Sequence, residues 1–316
     1  MPYCVKCGTS IPETAKFCPK CGKETFALQE SESAIEIPIM NVITNSFKPS
    51  ICFWNFLIVF APMLLLSMTL LQIGPQILLF IAERLSEIEA NTLNIANFIL
   101  SLLSMISIAG VAIVVYLLFG VYQKGVLIHN IGNKIIEKPK PYVDSLKIGF
   151  SKYPSIFLIA LLIAIFSIML GSIRYVGWIL VLIFVCIFWI PNQGIVLDNL
   201  GFIDGLKRSY HYFRKAAFGF IGVYMIATMI GFLLSIIGLI PIGIVTITLI
   251  LKMISVFPKT EPAQILRLIA DLMSSYTLYV AVAISCIVWT FNELYTSFGI
   301  PTKLYLEIRE MAKKMN

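Results

Sequence analysis

Charge and histidine are what this sequence is short of. Only 13% of its 316 residues are Asp, Glu, Lys or Arg, against about 25% in a soluble domain. With 59% of the chain hydrophobic, a water-soluble globule is excluded, because a core of this size cannot hide so much apolar surface. His129 and His211 are the two histidines, and no metalloprotease, triad or phosphate-loop pattern can be built around them. Acids and bases are also missing from the centres of the long apolar runs, where ion-coupled pumps keep their charge relays. With no catalytic constellation, the chain is expected not to be an enzyme. No secretory leader precedes the first apolar run, and that run is long enough to remain as an anchor.

What is present is apolar length. A bilayer needs about 20 residues per crossing helix, and six segments supply it, at about 51–73, 97–121, 154–173, 176–197, 217–240 and 276–294. A further run, 241–257, is interrupted by Lys252 and is expected to extend the fifth helix or to lie in the interface. With six spans, one side of the membrane receives 19 of the 24 Lys and Arg, and the other receives Arg84, Arg174, Lys252, Lys259 and Arg267. The positive-inside rule then places both termini in the cytoplasm of a multi-pass cell-membrane protein. A seventh span would carry the basic tail outside, so six is the count that fits.

The spans form three hairpins, and a weak internal repeat stands before the outgoing helices. Tyr142-Val-Asp-Ser-Leu-Lys147 matches Phe202-Ile-Asp-Gly-Leu-Lys207, and Phe47-Lys-Pro-Ser-Ile51 resembles Phe150-Ser-Lys-Tyr-Pro-Ser-Ile156. In the 202–213 segment, Phe202, Ile203, Leu206, Tyr210 and Phe213 fall on one stripe at helical spacing. Lys207, Arg208, Arg214 and Lys215 flank it, so this helix is expected in the inner-leaflet interface, touching lipid headgroups or a partner. Two further amphipathic stretches, Ile77 to Ile88 and Ile265 to Met273, read as surface helices on the outer side. Ala227, Gly231 and Ser235 repeat every four residues, as do Ala160 and Ala164; such small residues let helices pack closely in lipid and leave room for a homo-oligomer. Asn55, Gln72, Asn97, Asn192 and Gln193 are polar exceptions within the spans, expected mainly as interhelical hydrogen bonders. Pro191 should break the fourth helix, which makes Asn192 and Gln193 the candidate polar path.

One motif carries chemistry. Cys4-Val-Lys-Cys7-Gly8 and Cys18-Pro-Lys-Cys21-Gly22 are two knuckles ten residues apart. Each turns two thiolates toward one point, and four thiolates complete a closed tetrahedral Zn²⁺ site. Too short to own a core, residues 1–23 must draw their folding free energy from one structural zinc ion. A reducing cytosol disfavours disulfides here. Cys52, Cys186 and Cys286 lie in apolar runs as small hydrophobes. The ribbon resembles the short zinc-ribbon modules at the N-termini of archaeal and bacterial proteins, which implies binding of a protein partner. Nucleic acid is disfavoured, because the ribbon's lysines come without an aromatic platform. Residues 24–39, with four glutamates, read as a flexible acidic linker.

The segment Pro191 to Ser209 and the closing Thr302-Lys-Leu-Tyr305-Leu-Glu-Ile-Arg309 resemble the membrane domain of glycerophosphoryl diester phosphodiesterases. That family's catalytic barrel has no counterpart here, so the resemblance implies the membrane fold and not the activity.

The sequence therefore predicts an all-α integral membrane bundle of about six helices in three hairpins (40–316), with interfacial amphipathic helices and an N-terminal zinc ribbon. The expected function is a non-enzymatic scaffold or adaptor whose ribbon recruits a partner while basic helices engage membrane lipids. The alternative is a transporter or lipid-handling protein. The two differ in the interior: a cavity lined by Asn192 and Gln193 favours the alternative, a solid bundle favours the scaffold.

Overall fold

A computed structural model describes residues 35–89, 95–256 and 262–315. Among them there is no strand, and six helices are long and apolar enough to cross a membrane. The chain is a multi-pass membrane protein. The zinc-ligand candidates Cys4, Cys7, Cys18 and Cys21 lie outside the described residues.

The helices are α1 (Ile39–Ser50), α2 (Phe53–Glu89), α3 (Ile95–Ile135), α4 (Tyr142–Gly171), α5 (Gly177–Ile187), α6 (Pro191–Leu197), α7 (Phe202–Lys215), α8 (Ala217–Val256), α9 (Pro262–Met273), α10 (Tyr276–Asn292) and α11 (Ile300–Met315). A π-helical turn, Glu293–Gly299, joins the last two. All the spans but the fourth are longer than the apolar runs. The outer amphipathic stretch 77–88 is not a separate surface helix but the end of α2, which continues through Pro75 and packs along α9. The segment 142–147 likewise merges into α4. The run 241–257 continues α8 through Pro241 as far as Val256. Pro191 breaks the fourth span as its ring chemistry requires: α5 stops at Ile187, and the proline opens α6, where its missing N–H costs nothing.

Helix ends rich in Lys and Arg gather at one end of the bundle, called here the basic end. There α1, the last turns of α3, the start of α4, α6, α7 and α11 pack on one another. Its core includes Phe220, Leu304, Ile308 and the fully buried Tyr305. Ile35 and Ile37 are buried in it too, and the Ile35 N–H donates to the Lys215 carbonyl at 3.1 Å. Packed chain thus includes Ile35 and Ile37, ahead of α1. At this end the driving force is ordinary apolar burial, about 1.5–3 kcal/mol for each large side chain. Between the spans, where lipid is as apolar as leucine, close packing and interhelical hydrogen bonds take over. Thus Gly238 brings α8 so near α10 that a Cβ would strike the Trp289 indole, and Asn292 Nδ2 donates to Gly231 O and Ser235 Oγ, each at 3.0 Å. Asn55, as expected, is an interhelical bonder: Asn130 Nδ2 donates to its Oδ1 at 2.6 Å.

The internal repeat is real in three dimensions, and it has three copies. Each span that leaves the basic end is preceded by an amphipathic segment docked on chain that arrives there: α1 on α11 and the π turn, the start of α4 on α3, and α7 on α6. The buried contact in each is a small residue. Gly299 meets Ser46 and Ser50, Gly149 meets Gly125, and Gly205 meets Ile195 and the Pro191 carbonyl. Each segment then exposes an aliphatic residue and, seven positions on, an aromatic one: Met40 and Phe47, Val143 and Phe150, Ile203 and Tyr210. Seven residues is two helical turns, so each pair lies on one outward face. The α7 stripe read from the sequence is consequently split. Phe202, Leu206 and Phe213 lean on protein, Gly205 and Ser209 form the docked face, and Ile203 and Tyr210 face outward.

Candidate functional site

Extension of α3 beyond residue 121 brings a polar run inside the bundle. Gln123, His129, Asn130 and Asn133 are all buried. Gln123 Nε2 donates to the Ile58 carbonyl, and His129 Nδ1 lies 2.9 Å from Ser145 Oγ. Lys124, on the same stretch, turns to a different neighbour: a cavity of about 650 Å³.

This cavity has two walls. One comes from α3, α4, α5 and α6, with Lys124, Ile163, Phe188, Trp189, Asn192 and Gln193; the other comes from α8 and the π turn, with Tyr224, Thr228, Phe232, Ser235 and Glu293. The walls meet where Trp189 packs edge to face on Tyr224 and where α3 touches the π turn; beyond these contacts α8 packs on α10 and α5 on α4, without an extensive contact between α8 and either α4 or α5. Thr228 and Phe232 stand exposed at the rim, Phe232 at 67%. The void thus communicates with the apolar flank that the bundle presents to lipid. Its volume lies within the usual range for small-molecule sites, about 300–1,000 Å³.

Polar groups around the void divide into those already committed and those left over. Thr228 Oγ1 donates to Tyr224 O, Ser235 Oγ to Gly231 O, and Thr296 Oγ1 to Asn292 O. By contrast, Asn192 Oδ1 and Gln193 Oε1 are buried with no hydrogen-bond partner, and Gln193 is only 2% exposed. A buried acceptor without a donor costs about 1–3 kcal/mol, so these two oxygens are a cost carried in the wall of the cavity. Lys124 and Glu293 approach the same space from opposite walls, and each lies in the other's field. The π turn that supplies Glu293 is itself a costly device, one frequent at functional sites.

Asn192 and Gln193, singled out in the sequence, both line this cavity. Lys124 and Glu293 were not singled out: Glu293 reads from the sequence as the end of a helix and Lys124 as part of the 122–153 loop, and only their convergence gives them meaning. Hydropathy could not reveal it, although the polar run 122–133 at helical spacing in the last turns of α3 was an available signal.

The basic residues of α7 take different places. Lys207 and Arg214 are exposed beside a groove of about 540 Å³ with His211 and Tyr210. Arg208 turns inward instead. Its Nη1 donates to Tyr212 Oη at 3.2 Å and lies 3.6 Å from Asp198 Oδ2. The bond to Tyr212, reinforced by the Asp198 carboxylate, raises its guanidinium above the ordinary value despite partial burial. Lys215 lines a second groove, of about 590 Å³, with His211, Arg309 and Lys313. Asp198 is the hub of this region, accepting from Tyr305 Oη at 2.5 Å and Arg309 Nη1 at 2.6 Å.

Residues 3–25 match the family model of the zinc-ribbon domain. That match implies zinc binding, and the donor set fits it: Cys4, Cys7, Cys18 and Cys21 supply four thiolates, the complement of a closed structural Zn²⁺ site with no position open to substrate. Comparisons with curated proteins and with solved structures give no match.

Proposed function

We propose that this is a lipid-handling or transport protein of the membrane, which admits an amphipathic molecule sideways from the bilayer into the cavity between α5 and α8. One observation carries the reading: the cavity is lined by Asn192 and Gln193, whose buried side-chain oxygens lack donors. A scaffold has no need of such a void, and helix packing alone would have closed it. Placing the basic end in the cytoplasm, as the distribution of Lys and Arg favours, puts the cavity in the inner-leaflet half. Asp198, Tyr305 and Arg309, which carry the resemblance to the phosphodiesterase membrane domains, meet at one point beside α6. Their meeting supports treating that passage as one structural unit.

Recruitment of a partner by the ribbon is a second, compatible reading, supported by the zinc-ribbon match at 3–25. The basic end would then be where a recruited protein meets the cavity's owner.

A photo-crosslinkable phospholipid in nanodiscs tests the first reading. Adducts are expected on 185–193 and 224–232, and Thr228→Trp, which fills the rim, should remove them while adducts on the exposed outer half of α3 persist. Adducts confined to the perimeter would sink the cavity reading and leave the scaffold.

A further inference from the structure

We propose that the cavity is the inner part of a polar furrow along which a phospholipid headgroup slides past the bilayer midplane while its acyl tails stay in lipid, so that the protein passively exchanges phospholipid between leaflets. This path presupposes the cavity as a lipid site and adds a route out of it.

A second void, of about 380 Å³, adjoins the first: Ser235, Asn292, Glu293, Thr296 and Ser297 line both. Met63, Leu239 and Trp289 complete it. Together the two follow one stripe of α8, on which Tyr224, Thr228, Gly231, Ser235 and Leu239 recur every three or four residues. The stretch from Tyr224 to Leu239 measures about 22 Å along the helix axis, against a hydrocarbon core about 30 Å thick. It starts at an aromatic pair, Trp189 and Tyr224 with centroids 5.0 Å apart, of the kind that sits at membrane–water interfaces. Counted from there, the furrow passes the midplane.

Both voids open on the flank that faces lipid. Thr228 and Phe232 stand exposed on the first and Leu239 on the second, so tails can remain outside while a headgroup runs within. The lining suits a headgroup and not a tail. Lys124 and Glu293 lie within spans, where an ionisable side chain is expensive and marks a substrate path by default. Glu293 stands where the two voids adjoin. Among the described residues no ion pair joins it to Lys124. With one charge of each sign on facing walls, neither sign of headgroup charge is trapped, and passage needs binding weak enough to release.

Transfer between leaflets reads the path directly. The full-length protein is reconstituted into phosphatidylcholine vesicles with a trace of phosphatidylcholine carrying a nitrobenzoxadiazole fluorophore on its tail, and dithionite bleaches the label from outside. Protein-free vesicles should lose only the outer-leaflet signal. Proteoliposomes should lose nearly all of it, while soluble fluorophore trapped inside stays bright; loss of both signals is leak and counts against the furrow. Thr228→Trp should abolish the exchange and the cavity adducts together. Leu239→Trp fills only the second void and should slow exchange about tenfold, equal to about 1.4 kcal/mol in the barrier, with the adducts on 185–193 intact. Should it fail to fold, Ser297→Trp, at an exposed position on the shared lining, makes the same test. Leu117→Trp, exposed on α3 and outside the lining of both voids, should exchange at the wild-type rate. Adducts without exchange, or exchange that no tryptophan slows, would overturn the furrow and leave the cavity as a binding site. Neither adducts nor exchange would overturn both.

Discussion

The hydroxyl of Tyr305 donates to Asp198 Oδ2 at 2.5 Å, fastening the C-terminal helix to the loop that leads into α7. Asp198 also takes the Arg309 guanidinium, and the two groups are only 19% and 16% exposed. Tyr305→Phe removes one of these bonds and should cost about 1–2 kcal/mol. Asp198→Ala leaves Arg309 half-buried without its counter-charge and should cost more, about 3 kcal/mol. Thermal unfolding in detergent reads both, and the double variant should fall short of additivity by at least about 0.5 kcal/mol. Strict additivity would show that the hub is not one unit.

At the crossing of α8 and α10, Gly238 has no room for a side chain because the Trp289 ring occupies it. Gly238→Ala should destabilise the bundle by about 1–3 kcal/mol, as overpacking does. Combining it with Trp289→Leu should recover part of that loss. An unchanged melting temperature in the single variant would mean that the helices are not in contact there.

The three docked segments predict a shared vulnerability. Gly149→Leu, Gly205→Leu and Gly299→Leu each place bulk against a closely apposed neighbour, so each should lower stability by about 1–3 kcal/mol or more. Phe47→Ser, Phe150→Ser and Tyr210→Ser, on the outward faces, should change detergent stability by less than about 0.5 kcal/mol. If they weaken retention in bilayers without altering the melt, the outward pairs touch lipid.

Metal analysis should find one zinc per chain, lost on Cys18→Ser. Chelation should unfold residues 1–23, whose folding depends on the ion, and leave the melting of the helical bundle unmoved. A bundle that melts earlier without zinc would show that the ribbon is docked upon it.

Much of this architecture could be read in the sequence, because its causes are local. Six spans follow from hydropathy over about 20 residues, and the break at Pro191 follows from a ring that forbids a helix interior. The extension of α3 was hidden because Gln123 and Asn130 look like loop residues until their partners appear: the Ile58 carbonyl and Asn55 lie 65 and 75 residues away. For α7 the apolar stripe was visible, but hydropathy does not distinguish a face turned to lipid from one turned to protein. Gly205 and Ser209 made that choice by permitting close approach. Of the residues that line the cavity, the sequence singled out Asn192 and Gln193. Lys124 and Glu293 are far apart in the chain, and nothing short of the fold sets them across one space.

Because the chain joins the bundle at Ile35, pinned beside Lys215, the ribbon is on a short leash. Only about ten residues separate the end of the zinc-ribbon match at 25 from that pin, and ten residues reach at most roughly 35 Å. A partner bound by the ribbon would therefore be held within roughly 35 Å of the junction of α7 and α8. Tension applied by a captive would be delivered to that junction.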